Sequence, residues 1–216
     1  MVLAEAQQET WHDFYAGSYD LSAYLANLAR HSRFIESILA GQPKRLLEVG
    51  TGSGTMSVFL SSFGYDVTSI DNDEGVLSVA CKTSEAFRGS ARYELADAFN
   101  LPYENGEFDV AFSQGLMEHF SDEEIVRLLG EQLRVARVTV FSVPNNYYGQ
   151  GGEFGDERFL TKERWEQIVA SFRLVESEHY HSVRSRRFLY RRRSVMYLCK
   201  ITNESPAEAS EAREKE

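Results

Sequence analysis

The chain has 216 residues, 43% of them hydrophobic, and it carries 23 Lys and Arg against 33 Asp and Glu, a net charge of −10. That length and apolar content build one domain whose core needs no disulfide or metal staple. The acidic balance excludes a nucleic-acid backbone as main partner, because neutralising phosphates takes a basic face.

The elements follow in chain order. Trp11, Phe14 and Tyr15, then Leu21, Tyr24, Leu25 and Leu28, then Phe34, Ile35, Ile38 and Leu39 recur at three- and four-residue spacing, which predicts helices over the first 40 residues. Gly41-Gln-Pro43 stops them. Arg45–Val49 is a short apolar run entering the glycines 50, 52 and 54, so a buried strand is expected to run into a tight turn. Thr55 to Phe63 has helical spacing, with Gly64 as its C-terminal stop. Asp66–Ile70 predicts a second strand, and 73–87 a helix capped by Asp73. Strands are expected at Arg92–Ala96, Phe108–Ser113 and Val138–Val143, the last stopped by Pro144. Ser121-Asp-Glu-Glu124 has the form of a capping box and opens a helix to about Val135. Thr161 to Phe172 reads as helix. Leu174–Val183 and Ser194–Ile201 read as two strands with no helix between them, hence an antiparallel hairpin at the sheet edge. The expected fold is therefore α/β, a Rossmann-like doubly wound, mainly parallel sheet with that hairpin at its C-terminal edge. From Asn203 onward the chain is Glu-, Ala- and Ser-rich without aromatics, and a disordered acidic tail is expected.

Cys81 and Cys199 have no CxxC spacing and no companion His cluster, so two buried free thiols are expected rather than a disulfide or zinc site. The start lacks the basic and apolar regions of a signal peptide, and no apolar run reaches membrane-spanning length. A cytoplasmic address with no membrane partner is the expectation. The oligomeric state is left open.

Glu48-Val-Gly-Thr-Gly-Ser-Gly54 sits at the carboxyl end of the first strand, where doubly wound folds place nucleotide-like ligands. The dinucleotide fingerprint G-x-G-x-x-G needs glycine at position 55, which is Thr55. The spacing is instead G-x-G-x-G with an acid two residues before it. A carboxylate there opposes a pyrophosphate but suits a ligand bearing an ammonium and a sulfonium. With Asp71 closing the second strand, Asp97 just after the third, and Phe108-Asp-Val-Ala-Phe-Ser-Gln-Gly-Leu-Met-Glu-His-Phe120 around the fourth, the stretch from Leu46 to Asn145 resembles the class I S-adenosylmethionine-dependent methyltransferases, small-molecule branch. The resemblance implies S-adenosylmethionine as cofactor. It implies that Glu48 and the backbone from Gly50 to Gly54, with Thr51, hold the methionine part, and that Asp71 accepts the ribose hydroxyls. Asn72, Asp97, Ala98 and Phe99 would border the adenine, and Gln114 the reacting end. As plain structure, Asp71 would be a helix cap and Asp97 a turn residue. Glu48 has no such role inside an apolar run.

Methyl transfer is an in-line displacement in which the protein mainly positions the nucleophile, ~3 Å from the methyl carbon. A base is needed when the acceptor must lose a proton. His119 is the candidate catalytic base, the alternative being a loop cap. His12, His31, His179 and His181 have weaker claims, the last two forming an exposed pair on an edge strand. On the acceptor side, Tyr15 and Tyr19 resemble a segment that folds over the donor, and Asn145 follows the fifth strand. Gly149, Gly151, Gly152 and Gly155 suit a mobile cover. Arg184, Arg186, Arg187, Arg191, Arg192 and Arg193 read as a solvated hairpin or an anion-recognising cluster. The domain is expected to span 1–202, with 1–43 a helical lid region, 44–145 the cofactor-binding core, 146–202 the substrate-side loop, helix and hairpin, and 203–216 the tail. The function expected is methyl transfer to an O, N or C atom of a small-molecule acceptor. The alternatives are a non-catalytic cofactor-binding partner on the same fold, and a nicotinamide-dependent dehydrogenase, which Glu48 and Thr55 oppose.

Overall fold

The computed structural model describes residues 10–15, 20–148, 156–184 and 192–203. Several of its helices begin where short polar side chains satisfy the first free amides. α1 (Trp11–Tyr15) is a single turn. α2 (Leu21–Arg30) is capped by Asp20, whose carboxylate accepts from the Ala23 amide. α2 meets α3 (Ser32–Leu39) at His31. That ring is buried, its Nδ1 lies 2.7 Å from the Tyr180 hydroxyl, and burial pushes its imidazole down to about 3, so it stays neutral.

β1 (Arg45–Val49) leads through the glycine turn into α4 (Thr55–Ser62), and β2 (Asp66–Asp71) into α5 (Glu74–Phe87), whose N-cap is Asp73. β3 (Arg92–Leu95) and β4 (Phe108–Gln114) follow, then a 3₁₀ turn at Met117–His119. In α6 (Asp122–Val135) the capping box is complete: Ser121 accepts from the Glu124 amide and Glu124 from the Ser121 amide. β5 (Ala136–Pro144), α7 (Lys162–Ile168), β6 (Arg173–Arg184) and β7 (Arg192–Thr202) complete the order.

The seven strands form one sheet in the order β3-β2-β1-β4-β5-β7-β6. β1 to β5 pair in parallel, and β7 is antiparallel to both β5 and β6. This is the expected α/β architecture with its C-terminal antiparallel hairpin. The hairpin's outer strand is β6, while β7 slots in beside β5 and is buried on both faces from Val195 to Thr202. Val195 and Leu198 pack with α3 and α4 residues Phe34, Ile38, Met56 and Leu60, and Tyr197, Cys199 and Ile201 with α6 and α7 residues Leu128, Leu129, Trp165 and Ile168.

Four details differ from expectation. Pro144 is the last residue of β5 rather than a stop before it, since Pro fits a strand end where its missing N–H goes unused. α7 ends at Ile168, because Val169 and Phe172 turn back onto the core under a Phe172 amide to Val169 carbonyl bond. Cys81 is exposed and Cys199 buried. His179 is half-buried between the Tyr147 and Tyr197 rings rather than exposed, because β6 lies against the loop after β5 as well as β7. Residues 185–191, with Arg186, Arg187 and Arg191 of the arginine cluster, lie outside the described residues.

Candidate functional site

From β1 the chain winds outward to β2 and β3, then crosses back to β4 on the other side, so the carboxyl ends of β1 and β4 flank the switch point of the sheet. The glycine turn projects from β1 there, and Gln114 and Gly115 from β4.

Glu48 stands in β1 between Ser69 of β2 and Phe112 of β4. Strand alternation sends Leu47 and Val49 to one face and Glu48 to the other, where it is 4% exposed. The Ser69 hydroxyl donates to Glu48 Oε2 at 2.6 Å and lies 2.8 Å from the Thr51 hydroxyl. Burial pushes the Glu48 carboxyl up to about 7 against the pull of the Ser69 and Ser57 hydrogen bonds.

A first cavity of about 190 Å³ opens at the ends of β1 and β2. Val49, Ile70, Val76, Leu116, Phe99 and Phe120 give it apolar walls, and Asp71, Asn72, Asp97, Ala98 and Gln114 also line it. Asp71 is not the helix cap, which is Asp73; its Oδ1 accepts from the Asp73 amide at 3.1 Å. Burial pushes the Asp71 carboxyl up, and the amides of Asp73, Asn72, Gly52 and Thr51 pull it back. Asp97 combines both roles weighed for it, accepting from the Phe99 amide at 2.8 Å in a turn while lining the cavity.

α1 covers the glycine turn. A Cβ on Gly52 would sit 3.0 Å from the Tyr15 hydroxyl oxygen, and Gly52 has φ +52°, so only glycine admits this approach. Trp11 stacks on Tyr15 with ring centroids 6.2 Å apart, and both line the first cavity and a second one beside it.

The second cavity, about 320 Å³, shares Gly50, Gly52, Gln114, Gly115 and His119 with the first and adds Glu48, Thr51, Met56, Glu118, Tyr148 and Phe159. His119 therefore faces both. Its Nδ1 lies 2.8 Å from Asp156 Oδ1, and its ring meets Trp11 edge-on at 5.0 Å. An Nδ1–H donated to Asp156 leaves the lone pair on Nε2, the arrangement of a general base. Its chain neighbour Glu118 is 3% exposed, and Glu118 Oε2 has no hydrogen-bond partner among the described residues. Burial, with Glu157 and Asp156 near, pushes that carboxyl up to about 8.

Of the residues singled out in the sequence, Gly50, Gly52, Asp71, Asn72, Asp97, Ala98, Gln114, Tyr15 and His119 line the first cavity, and Glu48 and Thr51 the second. Two stand elsewhere. Gly54 lines neither cavity; at φ +75° it lets α4 start against α5, where its Cβ would come within 2.9 Å of the Ala80 Cβ. Gly54→Ala is accordingly expected to cost about 2 kcal/mol or more, seen as a lower urea midpoint. Asn145 is fully buried and lines neither cavity, because its carboxamide oxygen accepts from the Tyr147 amide and braces the turn after β5. Tyr19 and the glycines at 149–155 lie outside the described residues. Trp11, Glu118, Asp156 and Phe159 were not singled out as site residues. Asp156 is 37 positions from His119, and only the fold brings the two together.

The two buried glutamates carry a pH signature. Both fold with carboxyls raised above their ordinary 4.5, to about 7 for Glu48 and about 8 for Glu118, so the folded state binds more protons than the unfolded one between those values. Stability is therefore full below about pH 4.5 as far as these groups go, and falls as pH rises toward 8. Glu118→Gln should flatten the upper part of that fall, a change that urea denaturation at pH 6 and pH 8.5 would register.

A family model described as a methyltransferase domain matches residues 46–138. A demethylmenaquinone methyltransferase of Thermus thermophilus is 31% identical over 130 residues, covering 57% of this chain and 58% of that relative's length. A ubiquinone biosynthesis O-methyltransferase of Coxiella burnetii is 25% identical over 193 residues, with 80% of this chain and 82% of the relative covered. Among solved structures, a SAM-dependent methyltransferase from Aquifex aeolicus superposes with a TM-score of 0.65 at 16% identity, covering 87% of this chain and all of the other, which shows a shared fold. Among the described residues no helix is long and apolar enough to cross a membrane. The strand order, the acid-flanked glycine turn and the family match agree: residues 46–138 form a methyltransferase domain, and the chain is similar to the class I S-adenosylmethionine-dependent methyltransferases.

Proposed function

We propose that the chain transfers the methyl group of S-adenosylmethionine to an O, N or C atom of a small-molecule metabolite. The observation that carries this is the junction of two cavities at Gly50, Gly52, Gln114 and His119, one with apolar walls and two aspartates, the other with the buried Glu48. The residues fit the cofactor. Burial raises the Glu48 carboxyl to about 7, and an ammonium group beside it would favour its charged form. Asp71 has the acceptor oxygens for a ribose, and the slot between Val49, Ile70, Leu116 and Phe99 suits a flat base. S-adenosylmethionine supplies an already activated methyl group, so the protein's part is to orient the acceptor, exclude water and take a proton where one must leave. His119, aimed by Asp156, is positioned for that last task, and Trp11 and Tyr15 cover the junction.

In this reading 1–202 act as one unit: 1–43 cover the donor, 44–145 bind it, and 146–202 shape the acceptor side. The relatives are named for demethylmenaquinone and for ubiquinone biosynthesis, which favours a small-molecule acceptor over a macromolecule. Cys81 and Cys199 are both free, in keeping with the reducing cytoplasm, and the acidic lining of the second cavity opposes a nucleic-acid acceptor.

Incubating the purified chain with methyl-labelled donor and a metabolite extract tests the proposal. Label is expected in one or a few small products. Donor binding with no labelled small molecule would favour a non-catalytic partner on the same fold.

A further inference from the structure

The second cavity has a polar character that donor binding does not use up. Among the described residues, three glutamates line it, Glu48, Glu118 and Glu157, against a single Lys or Arg, which is Arg30. The donor's methionine end answers Glu48. Glu118 is different: it is buried, one of its oxygens has no partner among the described residues, and it lies next to His119 on the acceptor side. An unpaired carboxyl held in a protein interior is costly unless a ligand completes it. Five aromatic side chains, Trp11, Phe14, Tyr15, Tyr148 and Phe159, form part of the rest of the wall. Tyr148 and Phe159 stack with centroids 5.9 Å apart, and Trp11 and Phe14 line the same space.

We infer that Glu118 is the specificity-determining acceptor contact, and that the second cavity selects acceptors carrying a protonated amine on a flat aromatic frame. The inference rests on the methyltransferase reading of the adjoining cavity and names the acceptor class that reading leaves open. An ammonium donates to the orphan Glu118 oxygen and offsets the local excess of acid, and aromatic faces add attraction for the cation. It also reverses the effect of burial, which otherwise drives the carboxyl toward its neutral form. An alcohol satisfies the oxygen but leaves the charge excess, and a carboxylate or phosphate adds to it. His119, one residue on, remains with the reacting atom while Glu118 holds the handle.

Three probes of one shape separate these cases: tyramine, tyrosol and 4-hydroxyphenylacetate, which end in an ammonium, a hydroxyl and a carboxylate. Each is titrated calorimetrically into the full chain saturated with S-adenosylhomocysteine. Tyramine is expected to bind most tightly and 4-hydroxyphenylacetate least. Glu118→Gln should weaken tyramine by about tenfold or more, a shift of ~1.4 kcal/mol, and tyrosol by less, so that the preference for the amine is lost. Glu118→Met, which keeps the length and removes the charge, is the second variant should the first fail to fold. Equal binding of the three probes, no binding of tyramine, or a preference for the amine that survives both substitutions would overturn the inference. Loss of S-adenosylhomocysteine binding by the unsubstituted chain would instead sink the methyltransferase reading beneath it.

Discussion

Replacing His119 by alanine is expected to lower methyl transfer to a hydroxyl or protonated amine by ~10²–10⁴-fold, the range for loss of a positioned general base. Affinity for S-adenosylhomocysteine should stay within about twofold, because His119 meets the donor side only at the cavity junction and Glu48 and Asp71 remain in place. The reason for so large an effect is geometric. The Asp156 carboxylate, 2.8 Å from Nδ1, fixes the tautomer that leaves Nε2 basic, and Trp11 holds the ring edge-on. Asp156→Asn keeps the hydrogen-bonding shape and removes the charge that favours an imidazolium. A smaller fall is expected there, concentrated in kcat. Full activity of His119→Ala would reduce the residue to a support for the 3₁₀ turn at Met117–His119.

Replacing Asp71 by alanine is expected to weaken S-adenosylhomocysteine binding by about 1–3 kcal/mol, or roughly 5- to 150-fold in Kd. Asp71 ends β2 with its carboxylate already gripped by neighbouring amides, so it is pre-set to receive a ligand's hydroxyls without reorganising. The variant loses that acceptor and also loosens the grip on the Thr51 and Gly52 amides of the glycine turn. Asp73 and not Asp71 caps α5, so the helix itself should survive, and the melting temperature of the unliganded variant is expected to move little. An unchanged Kd would take Asp71 out of the donor site.

Much of the fold was legible because its signals are local. Asp73, Ser121 with Glu124, and Gly64 mark helix ends through bonds to residues within four positions, and the apolar runs at 45–49, 108–113 and 138–143 have the length and bounds of buried strands. The placement of β7 inside β6 was not legible, since nothing in either run says which one sits beside β5. In the candidate site, Glu48 was readable because a charge inside an apolar strand calls for a reason, and the glycine spacing supplied one. Glu118 carried no such mark: it stands in a mixed stretch, and its burial follows from how the turn after β4 packs beneath 156–160. Asp156 and Phe159 come from a connection with no periodicity at all. Asn145 erred in the opposite direction, a polar residue after a strand that serves its own turn. Side chains that answer to neighbours in sequence can be read ahead; those that answer to neighbours in space cannot.

Calorimetric titration of S-adenosylhomocysteine into the full chain bears most directly on whether Glu48, Asp71 and Asp97 surround one ligand. One saturable binding event is expected, weakened in Asp71→Ala and absent when NAD replaces the nucleoside thioether. No heat with S-adenosylhomocysteine, or tighter binding of NAD, would mean that the acid-flanked glycine turn serves some other ligand.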